Sequence, residues 1–287
     1  MEPHTLQLGH SPDPDDAFMF YALAQDPTLV ETNGWSFNHV LQDINTLSDR
    51  AIKGDLEITA ISIASFPQVA EKYALTSCGA SMGDGYGPRL VAREAMSTDD
   101  LAGKTIAIPG TLTSSFLALQ LRLGKAGEAF QFQVVEFDEI PQHVADGKAD
   151  AGLLIHEGQL TYADFGLHLI EDLGKWWKDR TDGLPLPLGG NCIRCDLGEQ
   201  AMREVTGVLQ RSIEYSLKHR DEAVKYSLQF GRGLDHDLAD EFVGMYVNDW
   251  TLDYGEKGQR AIELFLKEGS DKGYIGSIDE VSFVRPG

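Results

Sequence analysis

The chain has 287 residues, of which 42% are hydrophobic and 24% charged, a composition typical of a globular protein with one large domain or two. Its 24 basic and 45 acidic residues give a formal net charge of −21, which repels phosphate backbones and anionic membrane surfaces, so we expect no nucleic-acid or membrane partner. The N-terminus lacks the basic and apolar segments of a secretory signal, so we expect a cytoplasmic protein, unless the sequence is the mature form of an exported one.

Short apolar runs alternate with amphipathic segments, a pattern typical of α/β proteins. In the first part of the chain, the predicted strands are 6–9, 35–41, 58–63 and 89–92, and the predicted helices are 18–24, 44–52 and 66–73. In the middle part, the predicted strands are 104–110, 134–137 and 151–155, and the predicted helices are 114–123 and 140–146. Beyond residue 190 the pattern is mostly helical, with one long helix predicted over 205–217.

Two stretches rich in glycine and proline, at 83–88 and 185–190, flank the middle block of strands and helices. We interpret them as marking two crossings between domains. The predicted fold is a two-lobed α/β binding fold with a cleft between the lobes. The larger domain comprises 1–93 and 192–287, the smaller one comprises 94–191, and the hinge crossings lie near 90–95 and 188–193.

His156 follows the most apolar predicted strand, residues 151–155. Ligands of open α/β sheets bind outside the carboxyl ends of the strands, and an imidazole there can take or give a proton near neutral pH. The alternative is a structural histidine that is hydrogen-bonded to backbone at the strand end. His156 is therefore the candidate catalytic residue.

Four hydroxyl residues lie within 111–115, just before the predicted helix 114–123. Hydroxyls and free backbone N–H groups at a helix N-terminus can bind a carboxylate or a phosphate. The alternative is ordinary helix capping, which needs only one of these residues. Thr113 and Ser114 are candidate substrate-binding residues, and the absence of a following Gly-Lys-Ser/Thr excludes a Walker loop.

An acidic turn, Ser11-Pro12-Asp13-Pro14-Asp15-Asp16, follows the first strand. Three carboxylates in four positions could indicate a hard-metal site. We favour acidic residues placed at a helix N-terminus by a proline-fixed turn, and we expect no metal. Because this is also a strand-to-helix turn, Ser11 is a candidate for substrate binding.

Three further residues are candidates for the same cleft. Ser62 and Ser65 lie at and just beyond the end of the strand 58–63, where they can donate hydrogen bonds to a ligand or cap the following helix. Gly87 ends a glycine-rich turn that no helix follows, which excludes a dinucleotide fingerprint. Such glycines let the backbone approach a ligand or act as a hinge, so Gly87 is also a candidate substrate-binding residue.

The chain has three cysteines, too few and odd in number for a disulfide framework. Cys192 and Cys195 have CxxC spacing, but a zinc site would need a second pair, and a redox motif would begin a helix. We therefore favour a structural role, and the sequence leaves open whether the two residues ever pair.

Three segments together resemble one known family, the 1,4-dihydroxy-6-naphthoate synthases of the futalosine route to menaquinone. They are HSPDPDDAFMFY (10–21), LLIHEGQLTY (153–162) and GLPLPLG (183–189). The similarity runs in order over nearly the whole chain. The His-Glu segment followed by the Leu-Pro-Leu-Pro segment is its most specific part.

The resemblance implies the two-lobed fold of type II periplasmic binding proteins, used here for catalysis. It implies a lyase that converts cyclic dehypoxanthine futalosine to 1,4-dihydroxy-6-naphthoate, releases dihydroxyacetone and needs no cofactor. By the same resemblance, His156 matches the general base, and Ser62, Thr113 and Ser114 match cleft hydroxyls that hold an anionic small-molecule substrate. Some members carry Cys-Pro-Asn where this chain has Asp13-Pro14-Asp15, so no family role is carried over to that turn.

Two alternatives remain at this point. One is a solute-binding protein without catalysis, because the fold alone does not separate the two uses. The other is chorismate dehydratase, a neighbouring enzyme of the same pathway with a similar fold. The sequence leaves the oligomeric state open, and a homodimer is one of the states it allows.

Overall fold

The computed structural model of the chain describes residues 4–26, 28–156, 158–230 and 236–287. The N-terminal elements are β1 (His4–His10), α1 (Pro14–Met19), α2 (Tyr21–Gln25), β2 (Trp35–Leu41), α3 (Ile44–Lys53), β3 (Ile58–Ser62), a 3-10 helix (Ile63–Gln68), β4 (Tyr73–Thr76) and β5 (Ser81–Gly83).

The middle of the chain alternates strands and helices. Its elements are β6 (Arg89–Ala92), a 3-10 helix (Thr98–Leu101), β7 (Thr105–Ile108), α4 (Ser114–Leu123), β8 (Gln131–Val134), α5 (Ile140–Ala145), β9 (Ala151–Leu154), α6 (Gly158–Thr161), a 3-10 helix (Tyr162–Phe165), β10 (His168–Asp172) and α7 (Leu173–Arg180).

The C-terminal part is mostly helical, as the sequence predicts. Its elements are β11 (Leu186–Arg194), a 3-10 helix (Cys195–Leu197), α8 (Glu199–Lys218), α9 (Arg220–Ser227), α10 (His236–Tyr246), α11 (Asp249–Leu252), α12 (Gly255–Asp271) and β12 (Phe283–Val284).

Two sheets organise these elements. The seven-stranded sheet has the order β12-β4-β11-β3-β1-β2, with β5 paired to β11, and the five-stranded sheet has the order β10-β6-β9-β7-β8. We call each sheet with its covering helices a lobe, the first lobe for the larger sheet and the second for the smaller. The structure is therefore a two-lobed α/β fold, which confirms the predicted fold class.

Apolar runs explain the central strands of both sheets. Leu8 of β1 and Ile58 of β3 are fully buried and lie in the same register. All four residues of β9 are buried, as its continuous apolar sequence predicts. We expected β9 to be a parallel strand, but it runs parallel to β7 and antiparallel to β6.

Local capping explains where the helices begin and end. The Asp43 side chain accepts hydrogen bonds from the backbone N–H groups of Asn45 and Thr46 and starts α3, which ends at Gly54 in the left-handed region with a φ of +84°. α4 spans Ser114–Leu123, so the predicted helix is confirmed to the residue.

Two predicted elements are wrong. The helix expected at 66–73 is a short 3-10 helix that contains Pro67 and leads into the buried strand β4. The strand expected at 134–137 lies earlier, at Gln131–Val134, because Thr105 of β7 pairs with Gln131 and Ile108 with Val134.

The two crossings between the sheets lie earlier than the predicted boundaries. Residues 89–92 were assigned to the larger domain, but they form β6 of the five-stranded sheet. Residues 186–191 were assigned to the smaller domain, but they belong to β11 of the seven-stranded sheet. The chain therefore crosses between β5 and β6 and again between β10 and β11, and the division into two domains stays a prediction.

Within the described residues, no helix combines the length and the apolar character needed to cross a membrane.

Candidate functional site between the lobes

A cavity lies between the two sheets, and both lobes contribute side chains to its wall. The second lobe supplies Thr113, Ser114, Ser115, Ile155, His156 and Gln159. The first lobe supplies Ser11, Asp13, Asp15, Asp16, Ile44, Ala60, Ser62, Gly79, Ser81, Leu188, Gly189, Gly190, Phe242 and Tyr246, and Pro88 lies at the first crossing. The lining described here contains hydroxyl, carboxylate, amide and imidazole groups but no lysine or arginine, so a ligand there is recognised mainly through hydrogen bonds.

His156 lies two residues beyond the last residue of β9, and its backbone φ is +52°. A histidine in the left-handed region is uncommon, and such conformations concentrate at functional sites. Its carbonyl accepts a hydrogen bond from the N–H of Gln159 over 3.1 Å. The ring lies between Phe137 and Phe242, with centroids 4.7 and 6.3 Å away. The imidazole is thus packed against two aromatic rings at the cavity wall.

The acidic turn after β1 faces His156. Asp13 Oδ2 lies 3.6 Å from His156 Nε2, within ion-pair range but beyond a normal hydrogen bond. The Ser11 hydroxyl donates a short hydrogen bond to the same Asp13 oxygen, and the Ser11 N–H donates to Asp16 Oδ2 over 2.7 Å. The Ser81 hydroxyl donates to Asp15 Oδ2 over 3.2 Å. Hydrogen bonds within the turn therefore hold the carboxylates of Asp13 and Asp16, and β5 holds that of Asp15.

Burial changes the acidity of two of these carboxyl groups. Burial raises the pKa of Asp15 above its usual value, an effect opposed by a positive charge on His156 and reinforced by Asp13. Burial and the neighbouring Asp15 raise the pKa of Asp16 well above its usual value. Burial and the neighbouring carboxyl groups therefore favour the neutral forms of Asp15 and Asp16. Among the described residues, no cluster of three or more such side chains is arranged to hold a metal ion.

The hydroxyl groups at the start of α4 bind the protein itself. Thr113 caps the helix by accepting from the Phe116 N–H over 3.2 Å, and it donates to the Gly110 carbonyl over 2.8 Å. The Ser114 hydroxyl donates to the Leu188 carbonyl over 2.6 Å. The N–H groups of Phe116 and Leu117 donate to Thr113, so this end of the helix offers a ligand the N–H groups of Ser114 and Ser115, the first two of α4.

Tyr246 closes the cavity on the side of the C-terminal helices. Its hydroxyl donates to Gln159 Oε1 over 2.8 Å and so joins α10 of the first lobe to α6 of the second. Four residues earlier, Phe242 contacts the His156 ring. Burial raises the pKa of the Tyr246 phenol far above its usual value, so it acts as a neutral hydrogen-bond donor.

The structure brings together five of the seven candidate residues. Ser11, Ser62, Thr113, Ser114 and His156 all line the cavity. Gly87 and Ser65 are not among the described lining residues. The Ser65 hydroxyl donates to the Ser62 carbonyl over 2.7 Å. A Cβ added at Gly87 would lie 2.9 Å from the backbone of Gly174, so this glycine allows close packing of the two crossings. The roles of all seven residues stay predictions.

Several lining residues were missed by the sequence analysis. Asp13, Asp15 and Asp16 were weighed as a metal site and interpreted as helix-terminal charges. The placement of their turn after a strand made a position in the cleft plausible, but only Ser11 of the turn was named as a candidate. Gln159 lies three residues after His156. Phe242 and Tyr246 have helical spacing, which predicts burial but not a cavity.

The comparisons with known proteins show the family of this chain. A family model described as menaquinone biosynthesis matches residues 6–271. The chain belongs to this menaquinone biosynthesis family.

Two curated relatives of the family are each named a 1,4-dihydroxy-6-naphthoate synthase. The relative from Thermus thermophilus is 38% identical over 97% of this chain and 99% of its own length. The one from Streptomyces coelicolor is 34% identical, with both chains covered completely. The chain is therefore an enzyme of menaquinone biosynthesis, and the expected resemblance is confirmed.

Solved structures show how the family is built. A protein from Archaeoglobus fulgidus is 41% identical, with a TM-score of 0.88 over 96% of this chain and all of its own. A Candida albicans protein with the generic periplasmic binding protein fold matches at 15% identity and a TM-score of 0.66, over 96% of this chain and 92% of its own. The chain thus has the generic periplasmic-binding-protein fold, which is the predicted fold class.

The two cysteines of the CxxC segment lie in different environments. Cys192 is buried in β11, and its thiol donates to the Thr59 carbonyl over 3.4 Å. Cys195 is exposed at the start of a 3-10 helix, and both are free thiols. Burial raises the pKa of the Cys192 thiol above its usual value, which makes it unreactive.

Proposed function

We propose that this enzyme is a 1,4-dihydroxy-6-naphthoate synthase, as its curated relatives are named. In this proposal it acts in the cytoplasm as a lyase that cleaves a carbon–carbon bond of cyclic dehypoxanthine futalosine. The products are 1,4-dihydroxy-6-naphthoate and dihydroxyacetone, and no cofactor takes part.

The observation that carries the proposal is the placement of His156 in the cavity between the lobes, beside a carboxylate. A base must lie within reach of the proton that it removes, and an imidazole can take that proton near neutral pH. Loss of the proton starts bond cleavage, and the gain of aromaticity in the remaining ring favours product. A positioned general base typically contributes about 10²–10⁴-fold to the rate.

The substrate carboxylate needs a binding site that does not depend on lysine or arginine. The N-terminus of α4 faces the cavity through Ser114 and Ser115, and the N–H groups of these two residues and the positive end of the helix dipole suit an anion. Ser62 lines the cavity at the end of β3 and offers a hydroxyl to the substrate. Closure of the lobes would exclude water around the reacting atoms.

The test is turnover of cyclic dehypoxanthine futalosine by the purified protein, with 1,4-dihydroxy-6-naphthoate followed by liquid chromatography and mass spectrometry. We expect product from the wild type, including protein treated with a chelator and desalted, and a loss of at least 10²-fold in His156→Asn. His168→Asn, at an exposed histidine, is the matched control and should keep full activity.

Three other outcomes of these assays would change the proposal. Full activity in His156→Asn would discard His156 as the base but keep the lyase. Binding of the substrate without product would discard the lyase. Conversion of chorismate in a parallel assay, without naphthoate formation from the futalosine derivative, would identify the dehydratase reaction instead.

A further inference from the structure

Asp13 and His156 come from opposite lobes. Asp13 lies in the turn between β1 and α1 of the first lobe, and His156 follows β9 of the second. Their side chains approach to 3.6 Å between Oδ2 and Nε2 and are only 10% and 20% exposed. The pair therefore spans the cleft with both side chains mostly buried, where electrostatic interactions are screened less than at the surface.

The surroundings hold the Asp13 carboxylate toward His156. The Ser11 hydroxyl donates to the oxygen that faces the imidazole. The Asp13 carbonyl accepts from the N–H of Ala17 over 3.0 Å, which ties the turn to the first turn of α1. Asp13 thus has little freedom to rotate away from the cavity.

The other two carboxyl groups of the turn accept hydrogen bonds from different donors. Asp15 accepts from Ser81, and Asp16 accepts from the backbone of Ser11. Burial raises the pKa of both groups, which favours their neutral forms. Among the described residues, Asp13 is the carboxylate within 4 Å of the His156 ring.

We propose that Asp13 is the positioning residue of His156 and that lobe closure assembles the pair. The inference rests on the proposed function, in which His156 is the base. In the closed state, Nε2–H of the neutral imidazole points at Asp13, which leaves the Nδ1 lone pair for the substrate. In an open state, His156 would lose this partner, so the base becomes fully competent only around bound substrate.

Proton transfer by His156 and Asp13 needs no further reactant. A substrate X–H bond breaks, an Nδ1–H bond forms, and the electron pair stays on the substrate. The imidazolium that results carries its positive charge next to the Asp13 carboxylate, which stabilises it. The proton returns from Nδ1 to the cleaved fragment, which regenerates the neutral imidazole. Asp13 itself neither gains nor loses a proton.

The test measures kcat and KM for cyclic dehypoxanthine futalosine in Asp13→Asn, His156→Asn and the double variant. Asparagine keeps the shape and the acceptor for Ser11 but removes the charge, so the fold should persist, as thermal unfolding would check. We expect kcat of Asp13→Asn to fall about 10²-fold with KM within about twofold of wild type. Because the two residues act as a unit, the double variant should be no slower than His156→Asn alone.

Two controls complete the design. Asp271→Asn removes one exposed carboxylate of α12 and should leave kcat and KM unchanged. Asp13→Glu restores a carboxylate near the ring and should recover part of the kcat lost in Asp13→Asn, which a purely structural role would not require.

Three results would overturn the proposal: an unchanged kcat in Asp13→Asn, a loss confined to KM, or multiplicative losses in the double variant. Failure of the wild type to form product would instead refute the proposed function, so the two failures are distinguishable.

Discussion

The Ser114 hydroxyl donates a hydrogen bond of 2.6 Å to the backbone carbonyl of Leu188. The same oxygen accepts a hydrogen bond from the N–H of Ala64 over 3.1 Å. Ser114 begins α4 in the second lobe, whereas both of its partners belong to the first lobe. One side chain therefore joins the lobes next to the cavity.

Ser114→Ala should destabilise this arrangement. The change leaves a buried N–H and a buried C=O without their partner, at a cost of about 1–3 kcal/mol each when no water replaces it. We expect a lower midpoint of thermal unfolding and a higher KM, because the closed state loses a contact. Ser277→Ala, at an exposed position, should change neither quantity. Wild-type values for Ser114→Ala in both measurements would contradict a role in joining the lobes.

Tyr246→Phe removes the hydrogen bond from α10 to Gln159 of α6. A neutral hydrogen bond contributes about 0.5–1.5 kcal/mol, which corresponds to a factor of roughly 2–12 in an equilibrium constant. We expect KM to rise by such a factor while kcat changes less. Tyr226→Phe, outside the cavity lining, is the control. A fall in kcat at constant KM would show instead that the phenol takes part in the chemical step.

Gly152→Ala tests the packing beneath His156. A Cβ at this position of β9 would lie 2.7 Å from Ile140 Cγ2 and 2.8 Å from Val144 Cγ2, both on the buried face of α5. Such overpacking costs about 1–3 kcal/mol, which urea unfolding would measure. Gly276→Ala, whose Cβ would lie 3.6 Å from the nearest atom, Pro67 Cβ, should be close to neutral. Equal stabilities of the two variants would show that α5 can move away from the sheet.

His10 makes the folding free energy depend on pH. Burial lowers its pKa from the usual 6.5 to about 3, an effect that neighbouring His39 reinforces. Below pH 6.5 the unfolded chain therefore binds a proton that the folded protein does not. The stability that His10 contributes is complete above pH 6.5 and decreases toward pH 3. Between pH 7.5 and 5 the expected loss is roughly 2 kcal/mol.

His10→Gln isolates this contribution in urea titrations at the two pH values. The variant should lose roughly 2 kcal/mol less than wild type between pH 7.5 and 5, because glutamine does not titrate. The raised pKa values of Asp15 and Asp16 act in the opposite direction in both proteins and largely cancel in the comparison. His168→Gln, at an exposed position, should behave as wild type. A parallel pH dependence in His10→Gln and wild type would contradict the burial of a neutral imidazole.

The sequence predicted elements where one physical signal dominates. β9 is a continuous apolar run, and α4 has a hydroxyl cap followed by apolar spacing, so both lie where expected. The rule that ligands bind outside the carboxyl ends of strands made His156 a candidate, because His156 follows such an apolar strand. By contrast, β10 is half exposed and contains charged residues, and only its pairing with β6 makes it a strand. Pairing partners are not visible in a local pattern.

The site residues were likewise predicted only where a local pattern marks them. Thr113 and Ser114 were found from the start of α4, but Ser114 binds the opposite lobe, which depends on how the lobes meet. Phe242 and Tyr246 reach the cavity from a helix distant in sequence, and their spacing alone indicates only a buried face. Contacts across the cleft are set by tertiary structure, so the Asp13–His156 pair was beyond sequence reasoning as well.

The strand β12 has a consequence for the order of events during synthesis. It runs parallel to β4, and the Leu75 N–H donates to the Ser282 carbonyl over 2.9 Å. The five-stranded sheet comes from one uninterrupted stretch of chain, from β6 to β10. On the ribosome, the second lobe can therefore fold while the first still waits for its edge strand. The part of the cavity wall that carries His156 is therefore synthesised before α10, the helix whose Phe242 and Tyr246 cover it.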